Sequence, residues 1–244
     1  MNVYSACDIG KTRHENQDCL TTERLEDGIL AIVCDGMGGM DNGAEASRLA
    51  VEAAVAAFRG AYSTGLASDA VCELLTECAA EANHAVYQVA AHGETRIRMG
   101  STLVGAFLRD DFVCLVNVGD SRAYLIRKKG SAKQLTMDHT VVQLLYERGE
   151  ISAEMRAIHP RRNELTRAIG VTYRVLADTY ELVLKEGEKL LLCSDGLYSH
   201  VEDDKIAEIV RTETAENVPQ ALVDAANQAG GRDNISVVLL TRDS

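Results

Sequence analysis

Four aspartates stand close to glycine at the ends of apolar segments, and they are the residues in this chain best suited to chemistry. They are Asp35, Asp120, Asp195 and Asp233. The first directly follows the apolar run from Ile29 to Cys34, which has the length and composition of a buried strand. An aspartate-glycine pair alone is typical of a hairpin turn, and Asp27-Gly28 is interpreted as such a turn. The recurrence of this arrangement at four strand ends favours a shared site.

If these strand ends meet at one edge of a folded domain, four carboxylates share a small volume. Carboxylates at that range repel and raise one another's pKa, so the cluster needs a counter-charge. No lysine-rich segment lies nearby in the sequence to supply it. Mg²⁺ or Mn²⁺ fits this role, because hard divalent cations prefer carboxylate, carbonyl and water oxygens. The alternative is that the four aspartates lie in four unrelated turns. That explanation is reasonable for any single aspartate, but it explains the recurrence at four strand ends less well than a shared site does.

Other kinds of catalytic site find little support. The six histidines and seven cysteines show no HxxxH or CxxC spacing, which argues against zinc. There is no G-x-S-x-G nucleophile elbow and no P-loop. Arg13 lies in a polar and acidic loop, where it is either a solvated surface charge or, with its planar guanidinium, a phosphate ligand. Two metals and one arginine suit hydrolysis of a phosphate ester by water, without a covalent enzyme nucleophile.

Composition and charge restrict the class of protein further. A chain of 244 residues that is 46% hydrophobic can bury one sizeable core, so a single domain over residues 1–244 is expected. The net charge of −12 argues against a nucleic-acid or anionic-membrane partner. No signal peptide or membrane-spanning apolar stretch is present. Cys34, Cys114 and Cys193 lie in apolar runs as small hydrophobic residues, so we expect a reduced, cytoplasmic protein.

The elements that must position the aspartates occur as strands, two helices, strands and two helices. Strands are predicted at residues 4–10, 19–24, 29–34, 101–108, 112–118, 121–127, 165–169, 175–183, 189–193 and 235–241. Helices are predicted at 43–58, 69–91, 140–148, 203–211 and 219–229, with a short one before His159. This order is not the alternation of a parallel sheet. It favours an α+β fold, a β-sandwich with helix pairs outside.

Several helix starts carry capping signals, and one polar segment has no strong hydrophobic period. Asn42, Ser68, Asp138, Ser152 and Asn217 are the predicted caps. Residues 149–164 are polar with no strong period, and we expect them to form a mobile flap.

Eight ordered motifs span nearly the whole chain. They are Asp8-x-Gly10-x-x-Arg13-x-x-Asn16-Gln17-Asp18, DGMGG (35–39), GSTLV (100–104), NVGDSRAY (117–124), LTMDH (135–139), LTRAIG (165–170), CSDGLY (193–198) and GGRDNISVVL (230–239). This set resembles the metal-dependent protein phosphatases of the type 2C class, most of all their compact, single-domain bacterial form. The resemblance implies a four-layer αββα sandwich of two antiparallel sheets, with the metal centre in a cleft at one edge. It also implies dephosphorylation of phosphoserine and phosphothreonine proteins, in opposition to a bacterial Ser/Thr kinase, and we expect a monomer.

The resemblance also implies a role for each motif residue. Asp35 would bridge two Mn²⁺ or Mg²⁺ ions, the Gly36 carbonyl would bind one, and Asp195 and Asp233 would ligate the other. Asp120 with Asp195 would form a third-metal site. Asp18 would orient metal-bound water, and Arg13 would hold the substrate phosphate. The flap at 149–164 would contribute to substrate choice.

Two residues depart from the pattern of the family. Gln17 stands where many relatives have glutamate, and Met37 where eukaryotic relatives carry a histidine that is proposed to protonate the leaving group. Since methionine cannot donate a proton, the general acid is unassigned. Two alternatives stay open: a catalytically inactive relative that binds phosphoproteins, and a phosphatase dedicated to one partner in a stress or sporulation switch.

Overall fold

Two antiparallel β-sheets form the centre of the molecule in a computed structural model that describes residues 1–39, 42–92 and 98–242. Within these residues the strands are β1 (Asn2–Asp8), β2 (Asp18–Arg24), β3 (Ile29–Gly38), β4 (Met99–Ser101), β5 (Leu103–Arg109), β6 (Phe112–Val118), β7 (Arg122–Ile126), β8 (Lys133–Gln134), β9 (Asp178–Val183), β10 (Lys189–Cys193) and β11 (Ile235–Thr241). One sheet has the order β1-β11-β10-β7-β8 and the other β2-β3-β5-β6-β9, with β4 paired to β3. All the strand pairs are antiparallel.

The helices of the described residues lie outside the sheets or at their edges. They are α1 (Asn42–Ala61), α2 (Ser68–His92), α3 (Val141–Glu147), α4 (Ala153–Ile158), α5 (Asp195–Tyr198), α6 (Asp203–Thr212) and α7 (Val218–Gln228). No helix in the described ranges is both long and apolar enough to cross a bilayer.

Three buried apolar clusters join four layers. One joins α1 and α2 to the β2–β9 sheet, a second joins α6 and α7 to the β1–β8 sheet, and a third lies between the sheets. Strand β3 shows why its sequence is continuously apolar: Leu30, Ile32 and Cys34 face the helices, whereas Ala31 and Val33 face the other sheet. Both faces of the strand are therefore buried. The predicted α+β sandwich with helix pairs outside is confirmed.

Most predicted elements are present, with ends shifted by a few residues. Asn42 and Ser68, which were predicted as caps, are the first residues of α1 and α2. Ser152 caps α4 as predicted, and its hydroxyl accepts a hydrogen bond from the Met155 amide. Asn217 is the residue that flanks α7, although its side chain makes no capping bond.

Two local predictions are wrong. Asp138 does not cap α3, because both of its carboxylate oxygens bind Arg122, at 2.9 and 2.7 Å. Thr140 takes the capping position and accepts a hydrogen bond from the Gln143 amide. Residues 165–169 do not form a strand, since they make only isolated bridges, from Leu165 to Thr140 and from Ile169 to Ser101.

The loop at Asp27-Gly28 does join two strands, but it is not a two-residue turn. The last pair of the β2–β3 ladder is Arg24 with Ile29, so the loop has four residues, and the Leu25 amide donates to the Gly28 carbonyl at 2.8 Å. Gly28 does not have a positive φ. The hairpin is present without the type I′ geometry.

The cysteines differ from expectation at one pair. Helix α2 lies over the β2–β9 sheet, and the sulfur atoms of Cys72 and Cys114 are bonded at 2.19 Å. The expectation that Cys114 is an unpaired small hydrophobic residue is therefore wrong. Cys34 and Cys193 are free and buried, as expected.

Candidate metal centre

A cavity of about 750 Å³ lies at the edge of the sandwich and gathers the four aspartates predicted from the sequence. Its lining includes Asp35, Gly36, Asp120, Asp195, Asp233, Arg13 and Gln17. Residues 163–168, 171–172 and 174–176 form much of the rest of the wall. Of the expected flap, only Asn163 and Glu164 line the cavity. The arrangement therefore supports one shared carboxylate site rather than four separate turns.

Asp35 is fixed by the break between β4 and β5. At this break the Thr102 hydroxyl accepts a hydrogen bond from the Asp35 amide at 2.9 Å, and the Thr102 amide donates to the Asp35 carbonyl at 2.8 Å. The Ser101 hydroxyl donates to the same carbonyl at 3.1 Å. Both backbone groups of Asp35 are thus used, which leaves the carboxylate to face the cavity.

The residue after Asp35 has to be glycine. A Cβ atom on Gly36 would lie 2.0 Å from the Gly43 carbonyl oxygen in the first turn of α1. No side chain fits at that distance, so the chain of β3 and the start of α1 approach closely only at a glycine.

Asp195 begins α5, a one-turn helix that the sequence did not predict. The preceding Ser194 donates its hydroxyl hydrogen to Asp18 Oδ2 at 2.7 Å and accepts a hydrogen bond from the Ser236 amide at 2.9 Å. Asp18 Oδ1 and Asp195 Oδ1 are buried without a hydrogen-bond partner. Buried carboxylate oxygens without a partner are costly, and they fit ligands or near neighbours of a cation.

Asp233 and Arg13 come together across the chain. The Arg13 guanidinium donates to Asp233 Oδ2 at 2.7 Å, with the two side chains 46% and 32% exposed. Asn234 holds the two segments in place: its Nδ2 donates to the carbonyls of Ile9 and Glu15 at 2.9 and 3.0 Å, and its Oδ1 accepts from the Gln17 amide at 2.8 Å. The loop that carries Arg13 is therefore attached to the start of β11.

Asp120 follows a glycine with φ of +103°. The Gly119 amide donates to Nδ1 of buried His139 at 3.1 Å, and the Tyr198 hydroxyl donates to the Asp120 carbonyl at 2.9 Å. Since Nδ1 accepts, Nε2 of a neutral His139 carries the proton and faces Asp178 at 3.0 Å. His139 is thus a structural residue that positions the turn carrying Asp120.

Without a cation, the buried carboxylates of the aspartates repel one another, and this repulsion and their burial raise their pKa values. Burial and then repulsion by Asp195 raise the pKa of Asp120 to about 8, and burial raises the pKa of Asp18 to about 7. Burial and repulsion by Asp233 raise the pKa of Asp195 to about 6, while a hydrogen bond with Asp35 opposes that shift. Burial, followed by repulsion from Asp18 and Asp195, raises the pKa of Asp35 far above its usual range. Each shift reflects charge that a divalent cation would neutralise.

The oxygen-only donor set fits Mg²⁺ or Mn²⁺ and not a soft metal. In the parts of the chain that the structure describes, no three side chains among Asp, Glu, His and Cys stand in an arrangement that already forms an ion cage. The aspartates line a common cavity instead. Their mutual repulsion and the two unpartnered oxygens are what indicate a cation at this position.

Comparison with known proteins identifies the family and the fold. The profile of the protein phosphatase 2C family matches residues 11–227. The chain belongs to this family. Among its relatives, the serine/threonine phosphatase Stp of Listeria monocytogenes is 37% identical over 245 aligned residues, which cover 100% of this chain and 96% of the relative.

Solved structures of 2C-family phosphatases agree in fold. The serine/threonine phosphatase of S. agalactiae superposes with a TM-score of 0.92 at 29% identity and covers 99% of both chains. The catalytic domain of the phosphatase PstP, determined with two manganese ions, superposes with a TM-score of 0.79 at 30% identity and covers 98% of this chain and 96% of that one. The predicted family, fold class and enzyme class, a Ser/Thr phosphoprotein phosphatase, are confirmed, and so is the metal dependence at the level of the family.

Sequence reasoning missed the residues that hold the aspartates in place. These are Thr102, Ser194, Asn234 and His139, which act through hydrogen bonds with the backbone or with Asp18. Each lies inside one of the eight motifs. The sequence signal that could have identified them is a polar residue that lies within a motif and next to an apolar strand.

Proposed function

We propose that this 2C-family phosphatase hydrolyses phosphoserine and phosphothreonine esters in proteins at the cavity lined by Asp35, Asp195 and Asp233. The observation that carries the proposal is the convergence of these carboxylates with Arg13 on one cavity. When bound there, two Mn²⁺ or Mg²⁺ ions supply Lewis acidity and an activated water. Side chains of the protein bind the ions, orient water and bind the phosphate of the substrate.

The residues take the following roles. Asp35 would be a ligand of both ions, with the Gly36 carbonyl as a further ligand of one ion and Asp195 and Asp233 as further ligands of the other. Asp120 together with Asp195 would hold a third ion. This assignment is supported by the burial of the carboxylates and by their raised pKa values, since a cation removes the repulsion between them.

Arg13 binds the phosphate of the substrate. It lies on the cavity wall and is partly exposed, so its guanidinium can leave Asp233 and reach a phosphate oxygen. Asp18 is only 9% exposed and is held by Ser194, so it orients water at the ions rather than contacting substrate.

The two departures from the family pattern both lie at the cavity. Gln17 and Met37 are part of its lining. Methionine cannot protonate the leaving alkoxide, so we assign the general acid to water rather than to position 37. Residues 149–164 stay the proposed flap that contributes to substrate choice.

The partners are phosphorylated proteins, among them the targets of a cognate Ser/Thr kinase. We also propose that the protein acts in the cytoplasm as a monomer. The net charge of −12 supports a protein substrate rather than a nucleic acid, since phosphate-rich polymers would be repelled.

The decisive experiment is phosphate release from a phosphothreonine peptide with Mn²⁺, with Mg²⁺ and with excess EDTA. We expect release with either metal and none with EDTA. A folded protein that releases no phosphate under any of these conditions would contradict the proposal and would favour the inactive phosphoprotein binder, with Met37 and Gln17 as the first residues to restore.

A further inference from the structure

A second cavity of about 370 Å³ lies beside the first and has no part in the proposed mechanism. It is enclosed by the last turns of α2, the ends of β3 and β4, and the segment after Ile169. Its lining is almost entirely apolar and includes Met37, Tyr87, Ala90, Ala91, Met99 and Val171. Among the described residues that line this cavity, the charged one is Arg98, which is exposed. The chemistry of the cavity therefore suits an apolar group and not a phosphate or a metal.

The two cavities are adjacent. Met37, Gly38 and Val171 line both of them. A peptide bound in the catalytic cavity can therefore reach the mouth of the second cavity past these shared residues. Val171 is 52% exposed, so an apolar surface at this junction is open to such a chain.

The wall between the cavities is built into the fold. Asn83 on α2 is 2% exposed, and its Nδ2 donates to the carbonyls of Thr172 and Tyr173 at 3.1 and 3.2 Å. Its Oδ1 accepts from the Gly170 amide at 2.8 Å. All of these bonds tie the segment after Ile169 to α2, so the wall keeps a fixed position.

The same wall is fixed relative to the metal centre. Ile169 exchanges two backbone hydrogen bonds with Ser101, at 3.1 and 2.8 Å, and the Ser101 hydroxyl donates to the Asp35 carbonyl. The apolar cavity and the carboxylates therefore have a defined separation. Tyr87 adds an edge-to-face contact with Tyr173, with ring centroids 5.8 Å apart.

We propose that the second cavity binds an apolar side chain of the phosphoprotein substrate, close in sequence to the phosphorylated residue. This inference rests on the proposed function. Its physical basis is that the second cavity lies beside the catalytic cavity, shares Met37, Gly38 and Val171 with it, and is lined among the described residues by apolar side chains, glycine and one exposed arginine. Burial of one leucine or phenylalanine side chain contributes enough free energy to select among substrates.

The test uses a phosphothreonine peptide with alanine at all neighbouring positions. Leucine or phenylalanine replaces one alanine at a time on both sides, and kcat/KM is measured with Mn²⁺. We expect one position to raise kcat/KM about tenfold, mainly through a lower KM, because the gain is binding energy shared by ground state and transition state.

A variant that fills the cavity connects this preference to the structure. Ala91→Phe places a large side chain in the cavity, and we expect the ratio of kcat/KM for the leucine peptide over the alanine peptide to fall to about one. Ala80→Phe is the matched control, since Ala80 lies on the same helix and is exposed. It should keep the preference of the wild type.

Four outcomes separate the two proposals. If neither a small aryl phosphate nor any peptide is hydrolysed with Mn²⁺, the proposed function itself fails. If the aryl phosphate and all peptides are hydrolysed with equal efficiency, only the side-chain cavity is wrong. A preference for the leucine peptide that survives in Ala91→Phe would also overturn the side-chain proposal. If all peptides are hydrolysed equally and Ala91→Phe abolishes dimerisation of the protein, the occupant of the second cavity is a second copy of the chain instead.

Discussion

Arg13 donates a hydrogen bond to Asp233 Oδ2 at 2.7 Å, so the proposed phosphate ligand is paired with a proposed metal ligand. The two residues are 220 positions apart in the sequence and meet because Asn234 attaches the first loop to the start of β11. A carboxylate that binds a cation has less need of the arginine. Occupation of the metal centre and release of Arg13 toward substrate are therefore coupled.

Replacement of Arg13 tests its role. Arg13→Ala removes a charge-assisted hydrogen bond to phosphate of about 1.5–3 kcal/mol, so we expect KM for a phosphopeptide to rise roughly 10- to 100-fold. Binding of Mn²⁺, measured by calorimetry, should change much less. Arg48→Ala is the control, because Arg48 pairs with Glu52 on the exposed face of α1, away from the cavity. An unchanged KM would make Arg13 a surface charge.

Asp195→Asn tests the metal assignment with almost no change of shape. We expect the rate of hydrolysis to fall at least about 100-fold, because an amide supplies no charge to a divalent cation. The metal-free variant should unfold at a temperature equal to or above that of the wild type, since one buried, repelled carboxylate is gone. Retained activity, or a wild-type rise in melting temperature with Mn²⁺, would refute the assignment.

The raised pKa values predict how metal stabilisation depends on pH. Asp195, Asp18 and Asp120 have pKa values of about 6, 7 and 8 in the fold, above the ordinary value of 3.8. Their contribution to the stability of the metal-free protein is complete below pH 3.8 and is lost as the pH rises through 6 to 8. A cation competes with these protons and removes the repulsion at high pH.

The rise in melting temperature caused by Mn²⁺ should thus grow with pH across this window. Thermal unfolding with Mn²⁺ and with EDTA, at several pH values, measures it. The Asp195→Asn variant should show a smaller increase. A stabilisation by Mn²⁺ that is constant with pH would show that these carboxyls are already ionised in the metal-free fold.

Gly170 lies in the segment that forms the wall between the cavities, and Gly149 is a matched control position outside it. Both have positive φ, +82° and +71°. A Cβ atom on Gly149 meets nothing within 4 Å, whereas one on Gly170 lies 2.2 Å from Cγ1 of Val86. We expect Gly149→Ala to cost about 1 kcal/mol from backbone strain alone, and Gly170→Ala about 3 kcal/mol or more.

Urea unfolding measures both costs. Val86→Ala removes Cγ1, the nearest atom that the new methyl group would meet, and leaves Cβ at 2.8 Å, so the extra cost of Gly170→Ala should shrink in that background without disappearing. Equal costs at the two glycines would mean that the segment after Ile169 is not held against α2.

The sequence allowed much of this to be predicted, for a physical reason. Period and length gave the helices and strands, and the apolar run of β3 is readable because both of its faces are buried. Asp35, Asp120, Asp195 and Asp233 were identified from their motifs, and the structure gathers them at one cavity. What stayed hidden depends on contacts between distant segments.

Three features show this limit. Asp138 precedes a helix and looks like a cap, yet Arg122 takes its carboxylate, and no local pattern reveals that pairing. Residues 165–169 have the composition of a strand but contact their neighbours only through isolated bridges. Cys72 and Cys114 are 42 residues apart and meet only because α2 crosses the sheet above β6.

The position of β11 has a consequence for the synthesis of the chain. It lies between β1 and β10, and the residue before its flanking asparagine is Asp233. The β2–β9 sheet is complete once residue 183 has been made, together with the two helices that cover it. The other sheet has a gap between β1 and β10 until residue 241 leaves the ribosome. A nascent chain can therefore form one sheet of its sandwich early, whereas Asp233, the last of the proposed metal ligands, takes its place only after this segment has been synthesised.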